Sequence, residues 1–159
     1  MLESSQKPFM QRAIELAQYG MDNNFGGPFG AVIVKDGQII GEGYNSVTSK
    51  HDPTAHAEII AIRNACERLN VFQLSDCEIY CSCEPCAMCL GAIYWSRIDT
   101  IYFAANQNNA AVGGFDDAYI FREFSLHPAD RKIKTIEVKS AQGAQLFEEW
   151  IKKSDKTPY

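Results

Sequence analysis

The sequence contains no apolar run near the roughly 18 residues that a membrane-spanning helix requires, no low-complexity tract and no internal repeat. It has no basic excess: Lys and Arg number 15 against 20 Asp and Glu, a formal net charge of −5. That balance argues against the basic footprint of a nucleic-acid binder. The opening residues, MLESSQKPFMQRAIELAQ, carry scattered charges and lack the uninterrupted apolar centre of a signal peptide. A membrane protein and a secreted protein are both disfavoured, and the expected location is the cytoplasm, where thiols stay reduced. Disulfides are then a poor reason for the six cysteines.

What remains is a chain of 159 residues, 46% hydrophobic and 22% charged. That length suffices for a single domain, 1–159, that buries its own core. Apolar residues at helical spacing (Phe9, Ala13, Leu16, Ala17, Gly20) predict a helix over Gln6–Asn23, closed by the breaker-rich NNFGGP. Phe29–Lys35 and Gln38–Tyr44 predict two strands joined by an Asp36-Gly37 hairpin turn. A loop over Asn45–Pro53 precedes a helix near Ala55–Leu69, with Ile59, Ile62, Ala65, Cys66 and Leu69 on its apolar side. Further strands are expected at Cys77–Cys81, Asp99–Ala105 and Lys132–Val138, and further helices at Pro85–Trp95, Asp116–Phe124 and Ala144–Lys153. Alternating helices and strands after an opening hairpin imply an α/β fold, a sheet covered by helices on both faces.

Four of the cysteines fall within Cys81-Ser82-Cys83-Glu84-Pro85-Cys86-Ala87-Met88-Cys89. Pro85 suits the first turn of a helix, where its missing N–H costs nothing. Cys86 and Cys89 then lie at i and i+3 on one helix face, near an N-terminus whose dipole favours thiolates. Two thiolates are half a zinc shell. The other half is offered by His56-Ala57-Glu58 at the start of the preceding helix. The pair H-x-E and P-C-x-x-C is the zinc deaminase signature, in which the Glu carries protons and is not a ligand. A shell of one His and two Cys leaves the fourth position open, the mark of a catalytic zinc. The rival arrangement is a closed structural cage of Cys81, Cys83, Cys86 and Cys89. It would leave His56 and Glu58 without purpose, and Cys81 on a strand would point away from a site at its end. Cys81 and Cys83, like Cys66 and Cys77, read as small buried residues. His51 and His127 belong to no motif and are expected at the surface.

The motifs resemble those of the cytidine-deaminase-like zinc hydrolases, and within them the bacterial guanine deaminases. The likeness covers GGPFGAVIVKDG (26–37), DPTAHAEI (52–59), SCEPCAMCLGAIYW (82–95) and GFDDAYI (114–120). It implies a three-layer α/β/α fold around a mixed five-stranded sheet. It implies one zinc per chain on His56, Cys86 and Cys89, and a conversion of guanine to xanthine and ammonia. Glu58 would carry the water's proton and Asp117 would protonate the departing amine. Asn45 and the Ala57 N–H would hold the polar edges of the purine. Phe29 and Trp95 would wall the pocket, and Tyr159 would close it from the partner of a homodimer with exchanged C-terminal segments.

Each residue also has a plainer reading. Asp116 or Asp117 could cap the following helix, Phe29 and Trp95 could be core, Asn45 could be a turn residue, and a terminal Tyr159 would ordinarily be loose. The tRNA adenosine deaminases share DPTAHAEI, but the last helix, AQLFEEWIKK, is balanced in charge where an RNA-binding helix is basic. Guanosine or cytosine deamination also fits the motifs.

Overall fold

Ala31, Ile33, Ile79 and Cys81 pack on one side of the sheet, while Val32, Val34 and Tyr80 pack on the other. This alternation is the pleat of two central strands buried on both faces. In the computed structural model, which describes residues 3–159, the strands are β1 (Gly30–Lys35), β2 (Gln38–Tyr44), β3 (Cys77–Cys83) and β4 (Thr100–Ala105). Their order is β2-β1-β3-β4. β1 runs antiparallel to β2 and β3, whereas β3 and β4 are parallel.

Helix α1 (Lys7–Asp22) covers one face, burying Met10, Ala13 and Leu16 against Val32, Val34 and Tyr80. The short α2 (Val47–Lys50) follows the hairpin. Helices α3 (Ala57–Leu69) and α4 (Ala87–Ser96) cover the opposite face with Ala57, Ala61, Ala65 and Ile93. α4 is the crossover between β3 and β4, as a parallel pair requires. The alanines matter because β2 meets α3 with glycines. A Cβ on Gly43 would stand 2.2 Å from the Ala57 carbonyl oxygen, so only a bare backbone lets α3 lie this close. Arg12 of α1 ties to Glu42 of β2 through paired bonds of 2.8 and 2.9 Å.

The register places the start of β1, the end of β2 and the end of β3 at one edge: Gly30 faces Tyr44, Ala31 faces Cys81, and Cys83 faces Ala105. The motif segments lead away from that edge into α3 and α4. β4 leads there into α5 (Gln107–Val112), whose cap is a reciprocal pair between Asn106 and Asn109. This helix occupies a stretch expected only to be polar connection.

The chain divides into two compact units, one ending at Ala118 and one spanning Tyr119–Tyr159. The second comprises most of α6 (Ala118–Ser125), a 3-10 turn at Pro128–Asp130 and α7 (Ala141–Lys152). α7 begins earlier than its periodicity predicts because Ser140 accepts a hydrogen bond from Gly143 N–H and caps it. The expected fifth strand at 132–138 is not formed, and the sheet has four strands. The segment KIKTIEV has strand propensity, but a strand exists through ladder bonds to a neighbour, which propensity cannot supply. Ile133, Ile136 and Val138 are all largely exposed. Among the described residues no helix is long and apolar enough to cross a membrane.

Candidate metal centre

His56 is the N-cap of α3 and Cys86 the N-cap of α4, both with extended backbone. Neither side chain makes a capping hydrogen bond to its helix, and both turn to a common point. His56 Nδ1 lies 3.6 Å from Cys86 Sγ and 3.5 Å from Cys89 Sγ. The three ligand atoms lie within 4.8 Å of one another. Two helix N-termini meet here, and their unpaired N–H groups and dipoles favour negative sulfur. The Cys86 thiol is lowered to about 4, first by a hydrogen bond to Cys89 and then by His56. Cys89 is driven the other way by the same bond and by burial, so the pair shares one proton and Cys86 gives it up. The bond to Cys86 raises His56.

The donor set fits zinc in kind and in spacing. With zinc about 2.3 Å from sulfur and about 2.0–2.1 Å from nitrogen, a tetrahedral shell puts N and S about 3.6 Å apart. Three protein ligands leave one position for water or substrate. The four-cysteine cage is not formed: among the described residues the cluster holds His56, Cys86 and Cys89, without Cys81 or Cys83. Burial raises both of the excluded thiols, Cys81 strongly, which keeps them neutral.

Glu58 stands in the first turn of α3 and is 7% exposed. Burial raises its carboxyl, and the negative Cys86 adds to the effect. A carboxyl held above its usual range near a metal site is suited to taking and returning a proton. Of the two aspartates after Gly114, Asp116 accepts the Ala118 N–H at 3.0 Å in a turn at the start of α6. Burial raises the Asp117 carboxyl, with Cys86 contributing, which places it within electrostatic reach of the thiolate.

Asn45 is buried, and its Oδ1 accepts from Gly27 N–H and Val47 N–H, each at 3.2 Å. Two converging donors pin the amide, with Nδ2 directed away from them. Phe29 is half-buried and meets Phe115 edge-on at 4.9 Å. Trp95, 63% exposed, lies at the far end of α4, about 13 Å along the axis from Cys86, so one chain does not bring it to the cluster. Tyr159 belongs to the second unit and is exposed. His51 and His127 are exposed, as expected.

Motif reading assigned no role to Asp52, which organises the approach to His56. Its Oδ1 accepts from Thr54 N–H at 2.8 Å and Thr54 Oγ1 at 2.7 Å, and the Thr54 carbonyl accepts His56 N–H at 2.8 Å. Asp-Pro-Thr is a turn signal that could have suggested it. Phe115 was also missed, since its partner is distant in sequence.

Residues 3–105 match the family model of the cytidine and deoxycytidylate deaminase zinc-binding region, a span that holds both halves of the donor set. The chain belongs to this deaminase family. It is 49% identical over 151 residues to a guanine deaminase of Bacillus subtilis, covering 95% of this chain and 97% of the relative. The crystal structure of guanine deaminase from that organism superimposes with a TM-score of 0.94 at 47% identity, covering 99% of both chains. A tRNA-specific adenosine deaminase of Buchnera aphidicola is 38% identical over 159 residues, covering 98% of this chain and 93% of the relative. Over nearly its whole length the chain is thus similar to deaminases named for different bases.

Proposed function

We propose that the protein is a zinc-dependent hydrolase that deaminates guanine to xanthine and ammonia. The observation that carries this reading is a donor set of three protein ligands, His56, Cys86 and Cys89, with the buried Glu58 beside it. The sequence and structural likeness to a guanine deaminase over nearly the whole chain supports guanine as the base.

Zinc, when bound by His56, Cys86 and Cys89, supplies a water that is acidic enough to react near neutral pH. Glu58 would accept that water's proton and deliver it to a ring nitrogen of the purine, as the water oxygen bonds to the carbon bearing the amino group. Asp117 would relay the proton left on the added oxygen to the nitrogen, which leaves as ammonia. Asn45 Nδ2 donates to an acceptor on the base, and the Ala57 N–H, at the first turn of α3, holds a second polar edge. Phe29 presents a ring face to the purine.

The 159 residues act as a single domain within a homodimer that exchanges its C-terminal segments, bringing Tyr159 to the partner's pocket and setting Trp95 at the subunit boundary. In support, none of the described residues 119–159 is buried, although Phe124, Leu146, Phe147 and Ile151 are among them. Such a surface needs covering. Tyr94 and Trp95 likewise expose the outer face of the apolar α4. Six free cysteines fit a cytoplasmic location.

The deciding experiment is release of xanthine and ammonia from guanine by the zinc-loaded protein, with Glu58→Gln as control. Turnover by the native protein that falls by at least ~100-fold in the variant, with zinc retained, supports the assignment. The full-length likeness to a tRNA-specific adenosine deaminase gives a second reading, to which silence on guanine and salt-sensitive binding of a tRNA anticodon stem would shift the assignment.

A further inference from the structure

Phe115 lies between two parts of the site that the chemistry needs together. Its ring meets Phe29 edge-on, with centroids 4.9 Å apart and planes at 86°. Its chain position is two residues before Asp117, proposed above to carry the proton to the leaving nitrogen. Both rings rest over Gly27: a Cβ there would stand 2.9 Å from Phe29 Cε2 and 3.0 Å from Phe115 Cζ. Gly27 is itself held by Asn45 Oδ1 at 3.2 Å. Gly27, Phe29, Asn45 and Phe115 therefore form one connected group, and Phe115 joins it to the segment carrying Asp117. The Phe115 backbone is anchored as well, since its N–H donates to the Ala110 carbonyl at 2.9 Å.

We infer that Phe115 is a positioning residue that fixes the plane of the base against Phe29. This rests on the reading of the site as a purine deaminase. An edge-on partner prevents Phe29 from rotating about its side-chain bonds and leaves its face as a flat platform, the geometry that aromatic rings prefer. Phe115 is 44% exposed, so part of the residue is still accessible. A planar bicyclic base in this corner is confined on two sides, whereas a non-planar or smaller ring gains less. Gly27 is the spacer, because any side chain there would push both rings aside.

The test compares Phe115→Leu and Phe115→Tyr with the native protein, measuring KM and kcat for guanine, zinc content and melting temperature. Phe115→Leu is expected to raise KM roughly three- to tenfold, the span of one aromatic pair contact, with kcat changed less and zinc unchanged. Phe115→Tyr keeps the ring and is expected to stay near native. Gly27→Ala, which displaces both rings without removing either, is expected to raise KM in the same sense. A native KM in Phe115→Leu, or a loss that only follows falling zinc content or melting temperature in both Phe115 variants, overturns the inference while leaving the proposed reaction standing. A native protein that releases no xanthine from guanine overturns the reading beneath it as well.

Discussion

His56 and Cys86 hold equivalent places on two helices: each occupies the N-cap position, and His56 Nδ1 stands 3.6 Å from Cys86 Sγ across 30 positions of sequence. The two helix starts are brought together by the sheet edge from which both emerge. The cost of gathering three metal-binding groups is thus met by the core, before any ion arrives.

Replacing Cys86 or Cys89 by Ser should take zinc from one equivalent per chain to almost none, because a hydroxyl is a far poorer zinc ligand than a thiolate. Metal analysis after dialysis reads this directly. Cys83→Ser should retain the full equivalent, and a loss of zinc there would return the four-cysteine arrangement to consideration.

Asp52→Ala should weaken zinc binding about tenfold, as outer-sphere changes do, through the Thr54 turn that presents His56. Asp52→Asn keeps an acceptor oxygen and should recover most of the affinity. Competition against a chromogenic chelator measures both, and equal losses in the two variants would point to the charge rather than the turn.

Gly43→Ala forces a methyl to within 2.2 Å of the Ala57 carbonyl oxygen. Overpacking against backbone should destabilise the fold by ~1–3 kcal/mol, seen as a lower urea midpoint. Zinc affinity should fall too, since Ala57 opens the helix that His56 caps.

Glu42 and Arg12 make a pH-dependent contribution of definite sign. The hydrogen bonds from Arg12 hold the Glu42 carboxyl below its ordinary value. Its stabilisation is therefore complete above the unfolded carboxyl range, about 4.3, and is lost as pH falls through the lower folded value. Both side chains keep over a third of their surface, at 41% and 37%, so Glu42→Gln should cost only ~0.5–1 kcal/mol at pH 7. The variant and native proteins should converge in urea midpoint in strong acid; a constant gap would mean that packing, not charge, joins α1 to β2.

Deleting the residues after Lys153 should impair guanine turnover more than it lowers the melting temperature, if Tyr159 closes a pocket on the partner. Unchanged turnover would remove the lid role. Sedimentation of the same variant reports whether the subunits still associate.

Local rules were enough to read much of this molecule from its sequence. P-C-x-x-C and H-x-E were legible as a signature of two helix starts that share a metal, although Cys86 is the extended N-cap residue and not part of a helix beginning at Pro85. A buried apolar run and the Asp36-Gly37 turn likewise exposed the hairpin. Lys132–Val138 shows where such rules stop: its pattern suits a strand, yet it gains no ladder, because pairing depends on what lies alongside. Asp116 and Asp117 are equally good caps by composition, and the backbone path alone gives the N–H of Ala118 to Asp116.

The residue types for holding zinc and carrying a proton were determined by the sequence itself, since their chemistry belongs to the side chains and their order is written in two short motifs. Three-dimensional packing decided which thiols keep their protons, which way the Asn45 amide points, and that Phe115 faces Phe29. Those outcomes depend on burial and on neighbours distant along the chain, and neither is a property of any local segment.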